Sequence, residues 1–103
     1  MSILLKIRRT LRLGLGGAET RIDGSSHLIR LGRDEYQFVE GARRVNVYIE
    51  MLSGTPDRML DRSSIDRWLP PHEREDIDET ERERIAGKIS EFLNRQGHSV
   101  EIR

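Results

Sequence analysis

No cysteine occurs anywhere in the 103 residues. Disulfides, thiolate metal sites and cysteine nucleophiles are therefore excluded. Also missing is any run of roughly twenty apolar residues, the length a membrane-spanning helix needs. The opening apolar stretch from Ile3 is interrupted by Lys6, Arg8 and Arg9 before a signal-peptide core can form, so the expected location is the cytoplasm, with no membrane partner. Net charge is absent too, with 18 basic residues against 18 acidic. A domain built chiefly for nucleic acid carries a basic excess, so nucleic acid is not the expected partner.

The catalytic motifs are equally thin. Gly14-Leu15-Gly16-Gly17-Ala18-Glu19 places a carboxylate where a dinucleotide fingerprint needs its third glycine, and that charge would repel a pyrophosphate. No glycine-rich loop ends in Lys followed by Ser or Thr. His72-Glu73-Arg74-Glu75-Asp76 begins like a zinc-protease helix, but Asp76 stands where the second histidine belongs and two prolines precede it. His27, His72 and His98 share no ligand spacing, and the serines lie in no nucleophile elbow. The expectation is a protein that is not an enzyme, with no cofactor and no metal.

What is present is a periodic pattern in a polar chain, 35% apolar and 35% charged, of a length that suits one domain. Odd positions from Ile3 to Leu15 are mostly apolar while Lys6, Arg8 and Arg12 fall between them, which reads as strand. Asp23-Gly24-Ser25-Ser26 signals a turn. Leu28–Leu31 and Tyr36–Val39 are short strand candidates, and Val45, Val47, Ile49 and Met51 alternate with polar residues. Residues 58–72 stay open between a short helix entered at Pro56 and an extended run over Ser63–Trp68. A helix is expected from Glu79 to Gln96, with Asp78 as N-cap, Glu81 as its capping-box partner, an apolar stripe of Ile85, Ile89, Phe92 and Leu93, and Gly97 at the left-handed C-terminal position. His98–Arg103 alternates again, with Val100 and Ile102 expected to face inward. The fold class is α+β: an antiparallel sheet of short strands, one long C-terminal helix packed on it and a final β-strand. One domain over 1–103 divides into a strand meander (1–55), a Trp/Pro-Pro and acidic loop (56–78), the helix (79–96) and the last strand (98–103).

Charge along this chain is uneven. Residues 1–44 hold nine basic groups against five acidic, a local +4, whereas residues 73–83 hold seven acids and two arginines, a local −5. Acids in a first helical turn are favoured by the helix dipole, which accounts for Asp78, Glu79 and Glu81. It leaves Glu73, Glu75 and Asp76 on a loop where mutual repulsion brings no folding benefit, and a partner with a basic surface explains them. Trp68, beside Pro70-Pro71, either anchors this loop on the sheet or stands exposed as a contact. The basic stripe Lys6–Arg12 supports a different reading, a small nucleic-acid-binding or regulatory module.

The run Ser64-Ile65-Asp66-Arg67-Trp68-Leu69-Pro70-Pro71, the acids up to Ile77, and Asp78-Glu79-Thr80-Glu81-Arg82-Glu83-Arg84-Ile85 leading into Gly97 and the Val100–Ile102 strand resemble the bacterial polymorphic-toxin family of immunity protein seventy-four. The resemblance implies a cytoplasmic antidote that binds the C-terminal domain of a cognate toxin delivered by contact-dependent growth inhibition or a related system. Such toxins are often nucleases with basic clefts, which an acidic loop would block. It implies no catalytic residue. The expected toxin-binding set is Arg67, Trp68, His72, Glu73, Glu75, Asp76 and Glu79.

Overall fold

A computed structural model describes residues 18–103. The expected strand over Ile3–Leu15, the basic stripe Lys6–Arg12 and the glycines at 14, 16 and 17 lie outside the described residues. Among the described residues six strands form one sheet in chain order: β1 (Ala18–Arg21), β2 (Ser26–Arg30), β3 (Glu35–Glu40), β4 (Arg43–Met51), β5 (Arg58–Asp61) and β6 (Val100–Ile102). Neighbours pair antiparallel from β1 to β5, and β6 lies parallel to β5.

Alternation decides which side chains the sheet buries. Val45, Val47 and Ile49 are at most 2% exposed, while Arg44 and Asn46, on the alternate positions, face out. Register aligns Leu28 with Phe38 and Phe38 with Val45, so the buried residues of three strands share one face. The turns carry their own chemistry. Asp23 Oδ1 accepts from the backbone N–H groups of Ser25 and Ser26, each at 2.8 Å, closing the β1–β2 turn. Gly41, with φ of 60°, makes the tight β3–β4 turn that a β-carbon would strain.

The stretch from Arg58 holds a strand that the pattern does not announce. β5 is four residues long and buries only Leu60, too few positions for alternation to be visible. A single 3-10 turn over Arg62–Ser64 follows, capped by Asp61, which accepts from Ser63 N–H at 3.0 Å. No helix opens at Pro56.

The helix, α1, runs Glu79–Arg95 and lies on the buried sheet face. Asp78 caps it as expected, accepting from the Glu81 N–H at 2.8 Å. Glu81 does not complete a capping box, because its carboxylate accepts from Arg84 Nε at 2.6 Å instead. At the other end Gly97 has φ of 96° and donates to Asn94 O, while His98 donates to Leu93 O, both at 3.0 Å. Those two bonds define a Schellman stop. Ile85, Ala86, Ile89, Phe92 and Leu93 bury the helix face against the sheet, each large side chain contributing about 1.5–3 kcal/mol of transfer free energy. Val100 packs on this core, but Ile102 is 38% exposed, so only one of the two apolar residues of β6 faces in.

Candidate binding surface

Between the 3-10 turn and α1 lies a loop of irregular backbone held at its base by three apolar anchors. Ile65, Trp68 and Ile77 are 0%, 3% and 6% exposed. Trp68 is therefore buried, where it fastens the loop to the core. The backbone is pinned as well. Leu69 N–H donates to Arg44 O of β4 at 2.7 Å, and His72 N–H and Glu75 N–H donate to Leu69 O and His72 O, both at 3.0 Å. Arg67 and Asp76 form an antiparallel bridge across the loop, and Arg67 Nη1 donates to the Glu73 carbonyl at 2.9 Å.

Side-chain charges divide into two groups. Glu75 Oε1 accepts from Arg43 Nε at 2.8 Å and Nη2 at 2.5 Å, and its Oε2 lies 2.8 Å from His72 Nδ1. Arg43 first, and His72 second, hold the Glu75 carboxyl below the usual carboxylate range. Glu75 therefore does serve the fold, contrary to the expectation that repulsion leaves it without a structural role. Glu79 accepts from Arg82 at 2.6 Å, Glu81 from Arg84, and Glu83 pairs with Arg62. Asp66, Glu73, Asp76 and Asp78 form the other group and make no ion pair among the described residues. Asp66, Asp76 and Asp78 are exposed. One oxygen of Glu73 is buried with no hydrogen-bond partner, a costly state for a carboxylate.

Of the seven expected contact residues, the structure thus keeps Arg67 and Asp76 exposed on the loop and Glu73 half-buried in it. Glu75 and Glu79 pair with Arg43 and Arg82, His72 hydrogen-bonds Glu75, and Trp68 lies beneath. Asp66 joins the carboxylates that make no ion pair, as does Asp78, whose side chain caps α1. Asp66 was not among the expected contacts because it stands between Ile65 and Arg67, outside the acidic run. Nothing in the local sequence points from Glu75 to Arg43, 32 positions away.

A second polar cluster fixes α1 to the sheet. Glu40, on β3, accepts from Arg84 Nη1 at 2.9 Å and Nη2 at 2.6 Å, and from Lys88 Nζ at 2.9 Å. Lys88 also reaches Asp23 at 2.9 Å and the fully buried Ser26 hydroxyl at 3.1 Å. Hydrogen bonding from Arg84, helped by Lys88, outweighs burial and holds the Glu40 carboxyl down to about 2. Every charge in this cluster has a partner within the fold, so it serves as a staple and not as a site.

Among the described residues no group of three or more His, Cys, Asp or Glu side chains is placed to hold a metal, and no helix is long and apolar enough to cross a membrane. A family model described as Immunity protein 74 matches residues 28–103, from β2 through the loop and α1 to the chain end. No curated protein and no solved structure matches the chain.

Proposed function

The chain belongs to the immunity protein 74 family, and from that premise we propose that it neutralises a cognate bacterial toxin by binding the toxin's C-terminal domain. The action is stoichiometric occlusion in the cytoplasm of the producing cell, not catalysis. The toxin is a nuclease delivered by contact-dependent growth inhibition or a related system, and its basic substrate surface is what the loop covers. One observation carries this reading: Asp66, Glu73, Asp76 and Asp78 stay unneutralised on a loop whose backbone is bound to β4 and α1. Nearby acids in the same segment all find arginines, so the four are not an unavoidable product of composition.

A rigid loop loses little conformational entropy on binding. Free carboxylates speed the encounter with a basic surface and fix its register. In this arrangement Arg67, Glu73 and Asp76 touch the partner together with Asp66 and Asp78. Trp68, His72, Glu75 and Glu79 hold the loop in place.

The test is co-expression with a candidate cognate toxin C-terminal domain, alongside the double variant Asp66→Lys/Asp76→Lys. Both positions are exposed and free of side-chain partners among the described residues, so folding is unaffected. The variant should protect cells poorly, with an association rate reduced about tenfold or more at low salt. Wild-type protection and an unchanged association rate in the double variant would sink the loop mechanism.

A further inference from the structure

The last strand of the sheet is open along its outer side. β6 lies parallel to β5, and three backbone bonds fix which of its groups face inward. Arg58 N–H donates to Ser99 O and Arg103 N–H to Leu60 O, both at 3.0 Å, and Arg62 N–H donates to Arg103 O at 2.9 Å. Successive residues of a strand turn their backbone groups to alternate sides. The N–H and C=O of Val100 and of Ile102 therefore point away from β5, and no strand pairs with them among the described residues. Such a row of donors and acceptors is a template for another strand.

The side chains of this edge are not those of a protected one. Ile102 stands beside Leu60 on the α1 side of the sheet, yet Leu60 is fully buried and Ile102 is 38% exposed. Burial stops there because no further strand flanks it. Edges that must stay single carry lysine, proline or an inward-pointing charge at such a position, and β6 carries an isoleucine. On the opposite face Glu101 and Arg103 pair at 2.9 Å with side chains 43% and 57% exposed, a contact that costs little to rearrange.

The run Val100-Glu101-Ile102-Arg103 is complementary to itself. Turned antiparallel about Ile102, two copies exchange the outward bonds of that residue and set its side chain against its equivalent. Each Glu101 then stands opposite the second copy's Arg103. Centring on Glu101 instead would put two carboxylates face to face, which disfavours that register. A second copy thus supplies the strand, the apolar contact and both opposite charges by symmetry alone. We infer that β6 pairs with β6 of a second copy of this chain, joining the two sheets into one. The two-fold axis runs perpendicular to the sheet, so both helices lie on one face. This association does not rest on the proposed function.

Sedimentation velocity of the full chain from about 10 µM to about 1 mM tests it. Wild type is expected to pass from monomer to dimer as concentration rises. Glu101→Arg and Arg103→Glu each set like charges opposite one another, and each should raise the dimer dissociation constant at least about tenfold. Mixed in equal amounts, the two variants restore every opposite-charge pair, so the mixture should associate as tightly as wild type. Ile102→Pro removes the outward N–H and leaves the bonds to β5 in place. It should abolish the dimer while the circular dichroism stays native. A wild-type chain that is monomeric throughout overturns the inference. So does a dimer that the charge variants and Ile102→Pro leave unchanged, or a mixture of folded charge variants no tighter than its components. Hydrogen exchange at the Ile102 amide identifies any other occupant. Protection in a monomer, or only after a toxin domain is added, assigns the edge to another segment of the chain or to the toxin, and equally overturns the second copy.

Discussion

Arg82, near the start of α1, donates through Nε to the backbone carbonyl of Ile65 at 2.8 Å, across 17 positions of sequence. The same guanidinium donates to Glu79 and, at 3.4 Å, to the Ile77 carbonyl. One side chain therefore spans both ends of the loop that carries the free carboxylates, and Glu79 orients it. This is why the loop keeps one shape although it contains almost no regular structure.

Removing that clamp should loosen the loop before it unfolds the domain. Arg82→Ala leaves the Ile65 carbonyl without its charged donor, and should cost about 2 kcal/mol in urea unfolding. Amides between 67 and 76 should lose hydrogen-exchange protection more than those of β4. Arg82→Lys, with a single point of attachment, should recover only part of the loss.

Trp68 is the single tryptophan and is buried, so its fluorescence reports directly on the loop anchor. Emission should be blue-shifted in the native state, resist iodide quenching and move red on unfolding. Trp68→Ala should cost about 3–5 kcal/mol, a large share of the stability of a domain this size. Trp68→Phe should retain most of it, and with it the partner affinity, since the ring acts from beneath the surface.

Acid should destabilise the protein through Glu40. Its carboxyl falls from the ordinary 4.5 to about 2 in the fold, so the folded state holds the ionised form more tightly than the unfolded chain does. That stabilisation is fully present above the ordinary value and is lost as pH falls from about 4.5 towards 2. Asp57 and Glu75, also lowered by their partners, act in the same direction. Thermal unfolding followed over this range should show a falling midpoint in wild type and a shallower fall in Glu40→Gln.

Two glycines should respond with opposite sign to alanine. Gly97→Ala forces a β-carbon into a φ of 96° and should destabilise by about 1 kcal/mol or more. Gly87 lies exposed within α1, where an added β-carbon meets nothing within 4 Å. Gly87→Ala should stabilise by about 0.5–1 kcal/mol. Chemical denaturation of the two variants side by side checks both.

Legibility followed the range of the interactions. The alternation of Val45, Val47 and Ile49 declares β4, and Asp78 and Gly97 declare the limits of α1, because each signal lies within a few residues of the structure it specifies. β5 stayed hidden because a single buried residue, Leu60, makes no pattern. The parallel placement of β6 beside β5 required the helix to carry the chain across the sheet.

The acidic segment shows the same division most clearly. Its composition, its position before a capped helix and its likeness to an immunity protein could all be read from the residues in order. Which carboxylates remain free was decided only by the tertiary structure. Arg43 reaches Glu75 across 32 residues, Arg62 reaches Glu83 across 21, and Arg84 reaches Glu40 across 44. Helical spacing predicts partners three or four positions away, whereas a guanidinium on a long stem pairs with whichever carboxylate the packed sheet and helix bring within about 3 Å.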